Sequence, residues 1–364
     1  MNMTTVQDYI NAIEAFAPFS LAESWDNAGL LIGSGGDVVT RALVALDATM
    51  PVLDEALRLG ADLIVTHHPV IFSPLKNIAT NSVVYRLIRE GIAVVSAHTN
   101  LDIAEGGVNS VLAARLALEQ VEGLEKIDGS PFCKVAVTVP VPDSDKVYHA
   151  MVEAGAGTQG DYSHCGFFVR GEGRFKPGDK ANPHIGNAGV LEHVDEVKLE
   201  MLVSPSDLDS VLAAMKTAHP YEEVAFDVFH NYGLEQNAYL GRVGKLSREM
   251  SPEDFAACVK ERLGLSGLKY VSGGRPVERV AVCGGSGADF LHKAAAMGCQ
   301  ALVTGESKHH LLLDAARLGV TLIDAGHYGT ERVALGPLRD QLAERLPAVP
   351  ITVAATDGDN INYI

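Results

Sequence analysis

A chain of 364 residues, 47% hydrophobic and 21% charged, has the profile of a globular protein of two or three domains, with core enough to fold without a disulfide or a structural metal. Its 29 Lys and Arg against 46 Asp and Glu give a formal net charge of −17, which repels phosphate backbones on average and argues against a general nucleic-acid or anionic-membrane binder. The five cysteines (Cys133, Cys165, Cys258, Cys283 and Cys299) are scattered and form no CxxC pair, which excludes a disulfide framework or a zinc ribbon and fits a reduced, cytosolic protein.

In chain order, MNMTTVQDYINAIEAFAP reads as an amphipathic helix and not as a signal peptide. No run approaches the ~18 apolar residues that span a bilayer, so a cytoplasmic protein is expected. RALVALDATMPVLDEALRLGADLIVTH (41–67) then aligns without a gap with RVAVCGGSGADFLHKAAAMGCQALVTG (279–305), at an offset of 238 that sets Arg41 on Arg279, Gly60 on Gly298 and Thr66 on Thr304. Both copies continue through a helix-like stretch and a glycine into another apolar run, YRLIREGIAVVSAH ending at His98 and LLLDAARLGVTLIDAGH ending at His327. Each copy predicts strand, helix, strand, helix, strand. The short Val-, Ile- and Leu-rich strands read as buried on both faces, and Gly60, Gly91, Gly298 and Gly319 sit where the helices should end. The fold class is therefore α/β, with two related halves forming one composite domain.

The segment between the copies has another pattern. FCKVAVTVPVP (132–142) predicts a strand, DSDKVYHAMVEAGAG a helix, YSHCGFFVRGEGRFKP a strand or hairpin, VDEVKLEMLVSP a strand, DLDSVLAAMKTAHP a helix and EEVAFDVFH a strand. The order β-α-β-β-α-β is the ferredoxin-like, split βαβ arrangement. Residues 171–189, rich in Gly, Pro, Asn and Asp, predict an exposed loop. The domain reading is 1–127 and 233–364 as the halves of the composite domain, with 128–232 as an inserted α+β domain.

In open parallel sheets, ligands gather beyond the carboxyl ends of the strands. There the sequence places His67, His68 and Pro69; His98 and Asp102; Gly305 and Glu306; and His327 and Glu331. A helical H-x-x-x-E puts His327 and Glu331 on one face. Imidazole and carboxylate without thiolate suit zinc, iron(II), manganese or cobalt. More than three such ligands from two related halves point to two divalent ions, which can share a bridging carboxylate and hydroxide. His67 and His68 are neighbours, so both bind only if the chain bends there, as the following Pro69 allows. His98 stays open between ligand, general acid/base and supporting residue. Asp102 as a helix cap and Glu331 as a solvated helix residue are the bland readings of those positions. CGGSG (283–287) reads equally as an anion-binding turn and as a tight strand-to-helix turn, and lacks the dinucleotide or Walker pattern. His309 and His310 lie either near the site or on polar surface. No G-x-S-x-G elbow is present, so covalent catalysis is not indicated.

ESWDNAGLLIG (23–33), VTHHPVIF (65–72), AHTNLD (97–102), VAVCGGSG (280–287), VTGESKHH (303–310) and DAGHYGTE (324–331) together resemble the NIF3-like family. Its members are also called DUF34 proteins or GTP cyclohydrolase 1 type 2 homologues. The likeness spans nearly all of both flanking segments, and the central one, with AHPYEEVAFDV (218–228), resembles the PII- or CutA-like insert of longer members. The resemblance implies a dinuclear metal site held by His67, His68, Asp102, His327 and Glu331, with Glu331 bridging. It places His98 and His310 near the metals and implies a ring-shaped homohexamer. The name implies hydrolytic opening of the guanine ring of GTP with release of formate, by a metal-bridging hydroxide with a nearby His, here His98, relaying protons. Trp25, Asp26, Asn27 and Gly29 match a family motif for which a core around Trp25 and a turn are sufficient reason. The expectation is thus a metal-dependent hydrolase of a small, nucleotide-like substrate. The alternative is a non-catalytic metal-binding or regulatory hexamer whose insert senses a ligand or binds a partner.

Overall fold

The computed structural model describes residues 3–127, 132–159, 162–231 and 238–361. Contacts divide the chain into two compact units, Met1–Ile127 with Asn237–Ile364, and Asp128–Gln236. The expected junctions after residues 127 and 232 adjoin or fall within stretches outside the described residues.

The chain enters the first unit through α1 (Val6–Glu14) and β1 (Gly29–Ile32), then runs β2 (Ala42–Ala45), α2 (Met50–Leu59), β3 (Leu63–Thr66), α3 (Val83–Glu90) and β4 (Ala93–Ser96). Two short helices, α4 (Thr99–Ile103) and α5 (Val108–Arg115), lead to β5 (Glu119–Ile127). The second unit holds β6 (Phe132–Pro140), α6 (Ser144–Glu153), β7 (Gly166–Phe175), β8 (Glu192–Val203), α7 (Leu208–Ala218) and β9 (Phe226–Asn231). The chain re-enters the first unit with β10 (Ala238–Met250), α8 (Pro252–Arg262), β11 (Lys269–Val271), β12 (Val277–Cys283), α9 (Leu291–Ala296) and β13 (Ala301–Thr304). It closes with α10 (His309–Leu318), β14 (Thr321–Asp324), α11 (His327–Glu331), α12 (Leu335–Arg345) and β15 (Ile351–Val353).

The internal repeat is visible in the pairing. β2, β3 and β4 run parallel with Ala42 beside Leu63 and Leu63 beside Ala93; β12, β13 and β14 run parallel with Val280 beside Ala301 and Ala301 beside Thr321. The sheets are ordered β1-β4-β3-β2-β15 and β11-β14-β13-β12-β10-β5. Alternate residues feed opposite faces, which is why each strand is apolar throughout. Val44, Val65 and Val95 enter one core while Leu43, Ile64 and Val94 enter another. Thr49 caps α2 by accepting from the Val52 N–H, and Gly60 ends it in the left-handed conformation that glycine adopts without strain. Gly91, Gly298 and Gly319 end their helices with positive φ as well.

The second unit is an antiparallel sheet ordered β7-β8-β6-β9, with Val135, Val137, Leu199 and Met201 packed on Val147, Met151, Val211 and Met215 of α6 and α7. One expectation is corrected here. Residues 171–189 are not all loop: β7 continues to Phe175 in register with β8, and Pro177 is buried. A Cβ at Gly173 would meet the Glu196 carboxylate, so one glycine that suggests a loop instead leaves room for a neighbour's side chain. Among the described residues, no helix is long and apolar enough to cross a membrane.

Candidate metal centre

The histidines and carboxylates arrive from strand ends of the first unit. β3 stops at Thr66, so His67 and His68 lie past the pleat and escape its alternation. Their N–H groups still donate to Ala45 and Leu46 carbonyls, at 3.1 and 2.9 Å, which fixes the bend. Both rings turn to the same side, with centroids 5.0 Å apart. Beyond β4, His98 opens α4, and Asp102 follows one turn later with its N–H bonded to the His98 carbonyl at 3.1 Å. Beyond β14, His327 and Glu331 occupy the ends of α11, and His327 Nε2 lies 3.1 Å from Glu331 Oε2.

Every imidazole is anchored through Nδ1. His67 Nδ1 meets the Ala97 carbonyl at 2.9 Å, His68 Nδ1 meets Asp47 at 2.9 Å, His98 Nδ1 meets Asp26 at 2.7 Å and His327 Nδ1 meets Glu306 at 2.9 Å. Carbonyls and carboxylates only accept, so each Nδ1 carries hydrogen and each Nε2 is left to face the cluster. His68 Nε2 is 3.0 Å from Glu331 Oε2, and His67 Nε2 is 3.8 Å from Glu331 Oε1 and 3.6 Å from Asp102 Oδ1. Three sets result, each with its ligand atoms within 4.8 Å of one another: His67, His68 and His98; His68, His327 and Glu331; His67, Asp102 and Glu331.

Two buried atoms in these sets have no hydrogen-bond partner, His67 Nε2 and Glu331 Oε2. Oε2 is at ion-pair distance from two imidazoles, but neither approach has the angle of a hydrogen bond. Buried polar atoms are rarely left so, and cations held in the His67, Asp102, Glu331 set and in the His68, His327, Glu331 set would satisfy both. The donor set therefore fits a divalent metal of borderline or hard character.

The charges agree. Burial pushes Glu331 toward protonation, but the imidazoles of His327, His67 and His68 beside it prevail and hold it well below the usual carboxylate range. Burial works against charge on His68 too, yet Asp47 and Glu331 push it up to about 10. His327 rises to about 9, chiefly through Glu331. His67 is raised as well, Asp102 and Glu331 outweighing its complete burial. Asp102 goes up to about 6 because burial outweighs the nearby imidazoles. The cluster thus draws positive charge inward, and without metal it takes that charge as protons.

The glycine turn 283–287 resolves as a tight turn. Its Gly284, Gly285 and Gly287 N–H groups are spent on Asn109 Oδ1, Thr330 Oγ1 and Thr304 Oγ1, at 2.9, 3.1 and 2.9 Å, leaving none of these three to an anion. Its conformation serves the centre instead: Gly285 has φ +57°, and a Cβ there would collide with Glu331 Oε1. His309 and His310 are exposed at the first turn of α10 and belong to none of the three sets.

Of the anchoring carboxylates, Glu306 stands at a strand end that the sequence marks, whereas the anchoring by Asp26 and Asp47 is what it conceals. Asp26 holds His98 and also accepts from the Thr99 N–H and hydroxyl, at 3.0 and 2.5 Å; although burial opposes it, these bonds lower its carboxyl to about 2. The core reading of Trp25 is corrected: Trp25 is 58% exposed, its ring 5.9 Å from Phe72 and 6.2 Å from His98. Asp47 follows the first strand of the first copy, a strand end that the same topological argument singles out.

The family model described as Duf34/NIF3 (NGG1p interacting factor 3) matches residues 4–360. A Bacillus subtilis protein named GTP cyclohydrolase 1 type 2 homolog is 40% identical over 366 residues, covering 98% of both chains. A protein of the same name from Halalkalibacterium halodurans is 38% identical over 351 residues, covering 95% of this chain and 94% of its own. Among solved structures, a Bacillus cereus protein related to NIF3 matches over 100% of both chains with a TM-score of 0.83 and 37% identity. Staphylococcus aureus protein SA1388 matches over the same span with a TM-score of 0.75 and 30% identity. The chain belongs to the Duf34/NIF3 family.

Proposed function

We propose that this protein is a metal-dependent hydrolase. His67, His68, Asp102, His327 and Glu331 would hold two divalent ions. The observation that carries this reading is the common anchoring of four imidazoles through Nδ1, which leaves their Nε2 atoms to one cluster, those of His67, His68 and His327 beside the buried Glu331 carboxylate. Divalent ions supply Lewis acidity and lower the pKa of water toward neutrality.

The chain's own residues do the rest. Asp47 and Glu306 hold His68 and His327 in the tautomer that a ligand needs. Asp26 holds His98 through Nδ1, which leaves Nε2 free to take a proton and return it, the role of a general acid/base. His67 and Glu331 are buried, whereas His98 and His327 are partly open, so substrate enters from their side. The substrate class is a small molecule, nucleotide-like in the reading that the relatives' name suggests, with opening of the guanine ring of GTP as the specific reaction. A homohexamer, a cytoplasmic setting and a PII- or CutA-like character of the second unit complete the proposal, the last supported by its β-α-β-β-α-β order.

The test is metal content by mass spectrometry on the wild type and on the His67→Ala, Glu331→Ala double variant, followed by incubation with GTP and assay of formate. Two ions per chain, lost in the double variant, together with formate release support the reading. A protein that takes up neither zinc, iron(II) nor manganese overturns it.

A further inference from the structure

A second site lies in the other unit, and the metal centre makes no use of it. In β6 and β8 the residues that alternate with Val137, Val139 and Leu199 face away from the helices, among them Thr138 and Glu196. Over this face the coil after β7 and the turn after α7 enclose a cavity of about 590 Å³, within the roughly 300–1,000 Å³ usual for small-molecule sites. Glu196 lines it, although only 8% exposed.

The cavity is built rather than incidental. The Tyr221 hydroxyl donates to Glu196 Oε1 at 3.0 Å. Tyr221 is itself fixed, its N–H donating to His219 Nδ1 at 3.1 Å while His219 Nε2–H donates to the Thr138 carbonyl at 2.9 Å. The Phe175 and His184 rings stand 5.7 and 6.3 Å from the Tyr221 ring. The Asn182 N–H donates to Glu222 Oε1 at 2.9 Å, tying the coil to the turn. Gly173 leaves the Glu196 carboxylate its place, since a Cβ there would push it aside.

The chemistry of the lining selects the ligand. A carboxylate more than nine-tenths buried, with one donor from Tyr221, asks for further N–H donors. Aromatic walls ask for a flat ring. Glu196, Glu222 and Glu223 face Arg174 and Lys176, and Arg174 is already bonded to Glu172 at 2.6 Å, so the balance disfavours an anion. We propose that this cavity binds a small planar N-heterocycle carrying an exocyclic amino group, neutral or cationic, whose donor edge meets Glu196 while the ring packs on Tyr221 and Phe175.

The test is calorimetric titration of the full chain with 2-aminobenzimidazole, with benzimidazole, which lacks the amino group, and with benzoate, a planar anion. Binding of 2-aminobenzimidazole is expected, about tenfold or more weakened for benzimidazole and absent for benzoate. Glu196→Gln should weaken the first probe by about tenfold or more. Ala181→Trp, placed in the exposed coil where folding is not at stake, should fill the cavity and block it. His67→Ala should leave binding unchanged, which separates this site from the metal centre. No binding of 2-aminobenzimidazole at millimolar concentration overturns the proposal. So does equal affinity in Glu196→Gln and Ala181→Trp, or loss of binding in His67→Ala.

Discussion

His68 and His327 stand 259 residues apart in the chain, yet their Nε2 atoms face each other at 3.3 Å. Each belongs to a different copy of the internal repeat, and each has its Nδ1 held by a carboxylate, Asp47 or Glu306. Two neutral imidazoles of that tautomer would oppose lone pair to lone pair. A proton or a cation must lie between them, with Glu331 Oε2 3.0 and 3.1 Å away as the counter-charge. The centre is therefore a place where protons and metal compete.

That competition sets a pH dependence. His68 and His327 are raised from 6.5 to about 10 and about 9 in the metal-free protein. Raised imidazole pKa values stabilise the metal-free fold fully below pH 6.5, and this contribution is lost as the pH climbs through about 9 and 10. Metal binding needs neutral imidazole. Zinc affinity should accordingly rise steadily from pH 6 to 9, and binding at neutral pH should release protons, read by calorimetry in buffers of different ionisation enthalpy. Metal affinity independent of pH, with no proton release, would contradict the protonated cluster.

Glu331 and Asp102 should differ in kind when neutralised. Glu331 belongs to two of the three candidate sets, while Asp102 belongs to one. Glu331→Gln should abolish metal uptake altogether. Asp102→Asn should remove only the ion beside His67 and leave the set of His68, His327 and Glu331, about half the wild-type content. Mass spectrometry distinguishes the two outcomes, and equal losses in both variants would refute separate sites.

The architecture was largely legible in the sequence because it depends on local signals. Apolar strands with glycine-ended helices at matched spacing are written in consecutive residues, and the parallel strands then place His67 and His98 at the carboxyl end of one sheet and His327 at that of the other. Contacts made by tertiary packing were not legible. Nothing in WDNAG shows that Asp26 reaches His98, 72 positions away, or that Trp25 stays out of the core. Asp47 illustrates a different loss: it stands at a strand end as His67 does, but a single carboxylate without a nearby histidine carries no metal signal of its own. The turn at 283–287 was ambiguous because glycine permits both anion binding and close approach, and only the position of Glu331 decides between them.

Gly285 provides a steric test of the centre. It combines φ +57° with a Glu331 oxygen where a Cβ would stand. Gly285→Ala should cost about 1–2 kcal/mol for the left-handed backbone alone, and should also displace the carboxylate and weaken metal binding by about tenfold or more. Gly60→Ala is the matched control, with φ +65° and nothing within 4 Å of the added carbon. It should show a comparable fall in thermal stability with metal affinity unchanged. Equal metal affinity in the two variants would mean that the turn does not position Glu331.

His98 separates ligand from acid/base. It shares a set with His67 and His68, but is the only one of the four anchored imidazoles with no ion pair to Glu331 or Asp102 among those formed by the described residues. His98→Ala should therefore keep metal content near wild type while turnover falls by about 10²–10⁴-fold. Asp26→Asn weakens the hydrogen bond that orients His98, so turnover should fall by less than in His98→Ala, again with metal content near wild type. Metal content and turnover are read on the same preparations. If His98→Ala loses an ion, His98 is a ligand, and the proton must be carried by another group at the open side of the centre, where Glu306 is the titratable neighbour of His327.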